Sequence, residues 1–443
     1  MSSVFYRNPQ QEYPHGLRGE GVYLYDTDGN QYLDGSGGAA VSCLGHGHPY
    51  VIAAIKRQVE ELAYAHTAYF TNDPQERLAR HLSARFGEEG ARVYFLLGGS
   101  EANEAAIKLA RMYWLAKGCD DKHIVVSRHQ SYHGNTLGAL SISGNPGRRD
   151  IYAPILHDWP KIAPCYAYRH QGDDESEDDY GSRAAQALED AIEEHGADRI
   201  AAFVAETVVG ATMGAVPPVG DYLRKIREIC DRHDVLLILD EIMAGCGRTG
   251  TYFSFEQDGV QPDIATIAKG LGGGYQPIGA TIARENIHDA IVDRFGSFYH
   301  GHTYIGHATG CAAALAVAKV VYKDDLLDKV KRIGVQVREE LAGAFAEHPH
   351  VGDIRGRGLL IGIELVANRT DKTPANPALA PRIKDAAMEQ GLIIYPAGGT
   401  VDGRNGAHVL LAPPFIYESA HVDELITKLI AVLPNDPKEY DQA

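Results

Sequence analysis

The chain has six cysteines in 443 residues, Cys43, Cys119, Cys165, Cys230, Cys246 and Cys311, and no two of them stand as Cys-x-x-Cys. That argues against a disulfide framework and a zinc ribbon, and it suits a reduced cytoplasm. No run approaches about 18 consecutive apolar residues, and the opening MSSVFYRNPQQEYPHGLRGEG lacks a basic start followed by an apolar stretch. Neither a membrane span nor export is therefore expected. Basic residues are in deficit, 42 Lys and Arg against 59 Asp and Glu for a net charge of −17. Such a surface repels nucleic-acid backbones and anionic membranes, so neither is expected as a partner.

What is present is ordinary globular composition, 44% apolar and 23% charged, at a length that accommodates one large and one smaller domain. GVYLYDTDGNQYLDGSGG reads as a hairpin turning at Asp28-Gly29. From about residue 90, short apolar runs (93–97, 124–126, 201–205, 235–239, 264–268) alternate with helical patterns. Runs without polar alternation suit strands buried on both faces of a mostly parallel sheet. In PPVGDYLRKIREICDRHD, Leu223, Ile226, Ile229 and Cys230 share a helical face, and the prolines are expected at its start. A long helix follows the stripe Leu326, Val330, Ile333, Val337, Leu341, Phe345, with short strands beyond it at LLIGIELV, GLIIYP and HVLLAPPF. The pattern predicts an α/β chain: a large domain over 56–310 and a small α+β domain built from both chain ends, 1–55 and 311–443. The acidic stretch at 171–180 is expected as a surface loop, and no internal repeat is evident.

Three features bear chemistry. PDIATIAKGLGGGYQP ends a buried run on Lys269 and follows it with glycines. VYFLLGGSEANEAAIKLARMYW runs a strand into Gly98-Gly99-Ser100 and then a helix, with Ser100 as expected N-cap and Ala105, Ala106, Leu109 and Tyr113 inward. Its free N–H groups would meet an anion, although the Lys-Ser/Thr of a nucleotide loop and the spaced glycines of a dinucleotide fold are both missing. VLLILD ends on Asp240-Glu241. Taken singly these read as a solvated lysine, a tight turn, and a helix-capping or metal-binding acid. Together at one sheet edge they match pyridoxal phosphate, which needs an amine to bond to, a carboxylate at its ring nitrogen and a phosphate site.

In this order along the chain, GGSEAN, SYHGNTLGALSISG, LILDEIMAGCGRTG, IATIAKGLGGGYQPIGA and HGHTYIGHATGCAAALA resemble the successive signatures of class III aminotransferases of pyridoxal-phosphate fold type I. The resemblance implies that Lys269 is the lysine bonded to the cofactor and Asp240 the partner of its ring nitrogen. It implies Tyr132 and Ile242 on the two ring faces with His133 alongside, Gly99, Ser100 and Glu101 in the cofactor site, and Glu206 in the surrounding hydrogen bonds, a helix cap being the alternative for Glu206. Thr303 resembles a threonine that reaches the phosphate of the neighbouring subunit, which implies a homodimer, or a tetramer of such dimers, with shared sites. His300, His302 and His307 lie in that same segment without a cysteine or carboxylate at ligand spacing, so no metal is expected.

Relatives acting on ornithine or 4-aminobutyrate carry a gating glutamate where ETVVGATMG has Ala211. Omega-amine:pyruvate aminotransferases, with a small residue there and GYxP after the lysine glycines, resemble the chain better. The resemblance makes Arg404 a mobile clamp for a substrate carboxylate, with a surface arginine as the alternative, and puts Ala40, beside Gly38 and Ala39, where relatives place a bulky aromatic. It implies ping-pong transfer from an amine or omega-amino acid donor to a 2-oxo acid, with Lys269 moving protons. An aminomutase, epimerase or decarboxylase would use the same cofactor residues.

Overall fold

The hairpin expected at Asp28-Gly29 is preceded by a further strand: β1 (Gly16–Glu20), β2 (Tyr23–Asp26) and β3 (Gln31–Asp34) pair antiparallel in succession. Gly29 has φ 87°, and the Asp26 carboxylate accepts from the N–H groups of Asp28 and Asn30 to close the turn. The structure, a computed structural model, describes residues 2–440.

β4 (Arg92–Leu96), β5 (Ile124–Arg128), β6 (Lys161–Ile162), β7 (Ile200–Glu206), β8 (Leu236–Asp240), β9 (Ile264–Ile267) and β10 (Gly279–Ala283) form a seven-stranded sheet in the order β4-β10-β9-β8-β7-β5-β6. β5 to β9 run parallel, and β10 lies antiparallel between β4 and β9. β5, β7, β8 and β9 are buried throughout because helices cover both sheet faces, which is why they read as unbroken apolar runs. The helix Gly99–Ala116 packs on one face, and Trp114 Nε1 anchors it by donating to Ala201 O at 2.8 Å.

Helix starts differ from expectation at three places. Gly98, not Ser100, is the N-cap of Gly99–Ala116. Helix Tyr222–Arg232 starts after Asp221, downstream of Pro217 and Pro218. The acidic stretch is a loop only as far as Ser176, which caps the helix Glu177–His195 through Asp179 N. Glu177, Asp178 and Asp179 then occupy the first turn, where the positive helix end favours carboxylates, and Tyr180 is buried.

The remaining strands are β11 (Val351–Arg357), β12 (Leu360–Asn368), β13 (Thr373–Pro374), β14 (Leu392–Ile393), β15 (Tyr395–Gly398) and β16 (Ala407–Leu411). β14 pairs parallel with β3, joining the two chain ends in one sheet, and β11-β12-β16-β15 form another. Leu33 and Val51 share a core with Val330, Leu341, Leu392 and Leu425. The expected divisions after residues 55 and 310 fall inside helices Pro49–Glu61 and Ala308–Lys323. The second of these helices puts Cys311 and Ala314 into the core under the large sheet, and Val317, Val320 and Val321 into the other. Among the described residues no helix is long and apolar enough to cross a membrane.

A buried ionic cluster joins this second region to the large sheet. Glu364 on β12 accepts from Arg169 Nε at 2.7 Å, from Arg355 Nη1 at 2.5 Å and from Tyr166 OH. Arg355 also donates to the carbonyls of Met213 and Gly214. Burial opposes ionisation of Glu364, but Arg355 and Arg169 outweigh it and hold the carboxyl below its usual range. Removing one member leaves buried charge uncompensated, so Glu364→Ala should cost about 3–5 kcal/mol. Urea unfolding followed by fluorescence should show a lower midpoint, whereas an unchanged midpoint would mean that water replaces the lost carboxylate.

Candidate active site

Lys269 stands two residues past the end of β9 and opens a short 3-10 turn with φ 46°. A left-handed lysine is costly, of order 1–3 kcal/mol, and persists where the surroundings fix it. It lines a cavity of about 900 Å³ together with Gly99, Ser100, Tyr132, Glu206 and Asp240. Burial lowers the amine's pKa, while Asp240 and Glu206 pull it back up. A second cavity of about 870 Å³, beside edge strand β4, contains none of these groups.

Asp240 ends β8, in register with Glu206 of β7 and Thr266 of β9. Its Oδ2 accepts from His133 Nδ1 at 2.8 Å and Asn103 Nδ2 at 2.9 Å, and its Oδ1 from Ile242 N at 3.0 Å. Asn103 is itself fixed by Thr266 Oγ1 at 2.9 Å and by donation to His133 O at 2.6 Å. The carboxylate thus lines the cavity with its orientation fixed by three donors. Asn103 was not singled out from the sequence, and the signal for it is a polar residue one helical turn after Gly99 on the inward face.

The glycine turn leaves backbone donors open at the cavity. No side chain caps helix Gly99–Ala116, so its first N–H groups are left for a ligand. A β-carbon at Gly99 would lie 2.7 Å from Ile242 Cδ1, and one at Gly134 2.5 Å from Ser100 Oγ. Glu101, expected in the cofactor site, turns away instead: its carboxylate accepts from Leu97 N at 2.9 Å and braces the turn. Glu206 is not a helix cap. It accepts from Tyr132 N and Gly210 N, both at 2.9 Å, and burial raises its pKa. An amine, an anchored carboxylate and a phosphate cradle on one cavity fit pyridoxal phosphate.

Two expected residues lie elsewhere. Ala40 is 2% exposed and packs with Ala215, Met243 and Leu360 behind the cavity, while Ala39 forms the wall. Arg404 does not line the cavity: its side chain is 72% exposed and pairs with Asp150 at 2.8 Å, and its N–H is held by Asp402. Thr303 is exposed and does not line this protomer's cavity, and its carbonyl accepts from Tyr64 OH at 2.9 Å. Of the nearby histidines, His307 accepts from Gly310 N at the start of helix Ala308–Lys323, and His300 Nδ1 faces Lys108 Nζ at 3.2 Å.

This fold and this set of groups define a pyridoxal-phosphate-dependent transferase of fold type I. The model of the class-III aminotransferase family matches residues 8–433, and the chain belongs to that family. It is 41% identical to an uncharacterised aminotransferase of Schizosaccharomyces pombe, over 97% of this chain and 96% of that one. It is 35% identical to the putrescine–pyruvate aminotransferase of Pseudomonas aeruginosa, over 93% and 88%. An amine transaminase from an uncultivated Pseudomonas species, solved in its pyridoxal-phosphate-bound form, superposes with TM-score 0.90 at 34% identity, covering 97% of this chain and 98% of that one.

Replacing Asn103 by Leu removes one fixed donor from Asp240 and strands a hydroxyl on Thr266. We expect cofactor affinity to fall by about 1–3 kcal/mol. Equilibrium dialysis of the cofactor against the variant would measure this, and unchanged affinity would mean that His133 alone orients the carboxylate.

Proposed function

We propose that this aminotransferase takes an amino group from an amine or omega-amino acid and passes it, in ping-pong order, to a small 2-oxo acid, with pyruvate preferred over 2-oxoglutarate. The observation that carries the acceptor assignment is the wall at Ala211. Ala211 lines the cavity, and both carboxylates on that wall are engaged, Asp240 by three donors and Glu206 by two backbone N–H groups. A five-carbon diacid brings a second carboxylate whose cation must be neutralised when an amine occupies the site, and no free carboxylate stands here to do it. The name of the putrescine–pyruvate relative is in keeping with this acceptor class.

Pyridoxal phosphate supplies an aldehyde that exchanges with amines and a ring that withdraws the electron pair left when the substrate carbon loses its proton. Asp240 would hold a proton at the ring nitrogen, Tyr132 and Ile242 would flank the ring, and the helix start at Gly99 and Ser100 would hold the phosphate. Lys269 Nζ would serve as the group that moves the substrate's proton, a task helped by its lowered pKa. We further propose that the enzyme works in the cytoplasm as a homodimer in which Thr303 completes the neighbour's phosphate site. The exposed rings of Tyr69 and Phe70, and of Tyr304 beside Thr303, support such a contact.

Steady-state kinetics should give pyruvate a kcat/KM at least about tenfold above that of 2-oxoglutarate, the weight of about one charge-assisted hydrogen bond. The reverse order would sink the acceptor assignment. Thr303→Ala should weaken cofactor retention, and dilution that separates subunits should release cofactor from the wild type. Sedimentation with absorbance detection would reveal it, and a monomer that keeps its cofactor would refute the shared site.

A further inference from the structure

The active-site cavity contains a guanidinium that no other role has absorbed. Arg148 lines the cavity and lies over the Tyr132 ring, its Cζ 4.5 Å from the ring centroid. It makes no side-chain hydrogen bond or ion pair with any described residue. Its neighbour Arg149 is the opposite case, donating to the carbonyls of Leu140, Ser141 and Ser143 at 2.9, 2.6 and 2.8 Å. The short helix Pro146–Arg149 is therefore pinned through one arginine and presents the other.

We infer that Arg148 binds the substrate carboxylate. This rests on the aminotransferase reading above and names the group that makes its acceptor an acid. Arg148 shares the cavity with two further basic residues, Arg7 and Lys269, and it contributes to lowering the lysine's pKa. The cavity's own carboxylates, Glu206 and Asp240, accept from other donors and neither hydrogen-bonds Arg148, which leaves its N–H groups for an incoming anion. A guanidinium lying over an aromatic ring still has N–H groups to donate, and a planar guanidinium can match a carboxylate through two parallel hydrogen bonds. Elsewhere the buried arginines are spent on the protein itself, as Arg355 is on Glu364, Met213 and Gly214.

The test compares half-reactions of the holoenzyme, each followed by cofactor absorbance: putrescine as a carboxylate-free donor, then pyruvate as acceptor. Arg148→Gln should raise the half-saturating pyruvate concentration roughly ten- to hundredfold, as expected for loss of a bidentate charged contact, and shift that of putrescine by less than about twofold. Arg148→Lys should restore part of the loss, and Arg404→Gln should leave pyruvate saturation within about twofold. Equal losses in both half-reactions, or weaker cofactor retention in Arg148→Gln, would overturn the inference, because Arg148 would then support Tyr132 or the cofactor phosphate. A selective pyruvate defect in Arg404→Gln with none in Arg148→Gln would overturn it as well. Wild-type enzyme that accepts no 2-oxo acid would overturn the functional reading, and the inference with it.

Discussion

Three parallel strands ending side by side are the constraint on which the rest depends. β7 delivers Glu206, β8 delivers Asp240, and β9 delivers Lys269 two residues beyond its last hydrogen-bonded position. Parallel pairing forces these ends to one edge, where the helix beginning at Gly99 brings its unpaired N–H groups. Charge, amine and anion cradle then meet without any long-range adjustment of loops, because sheet register has already set their spacing.

The polar groups around that edge are fixed mainly by hydrogen bonds. Asp240 is buried and takes three of them, which set its orientation, while its charge is felt by Lys269 in the same cavity. Glu206 likewise spends itself on backbone, joining the Tyr132 turn to the Gly210 loop. Gln130 adds a third tie: with φ 60° and a buried side chain, it donates to the carbonyls of Gly399 and Thr400 and accepts from Asn145. The cavity wall and the loop carrying Arg404 are thereby fixed to the same short segment.

Most of the fold and the first ring of the site were legible because their signals are local. A strand buried on both faces has to be apolar throughout, and a lysine or aspartate at its end is then conspicuous. β10 was not legible: GATIA is short, and its antiparallel place between β4 and β9 depends on partners distant in sequence. Ser100 looked like a cap because serine is a good one, yet Gly98 already adopts the extended conformation before the helix. Ala40 and Ala39 could not be told apart because the backbone there turns through successive positive φ values at Gly37 and Gly38, then again at Ala40, so alternation says nothing about which methyl faces inward. Arg404 and Arg148 were indistinguishable in principle. A guanidinium's role depends on which carboxylates reach it, and Asp150, 254 residues away in sequence, reaches Arg404.

Helix Ala308–Lys323 lends its first half to the core beneath the large sheet and its second half to the core shared by the chain ends. A rod of 16 residues, about 24 Å long, cannot melt at one end without exposing apolar surface at the other. The free energies of the two cores are therefore not separate quantities. Damage in either is shared along the helix, and the chain should lose its structure as one cooperative unit rather than lobe by lobe.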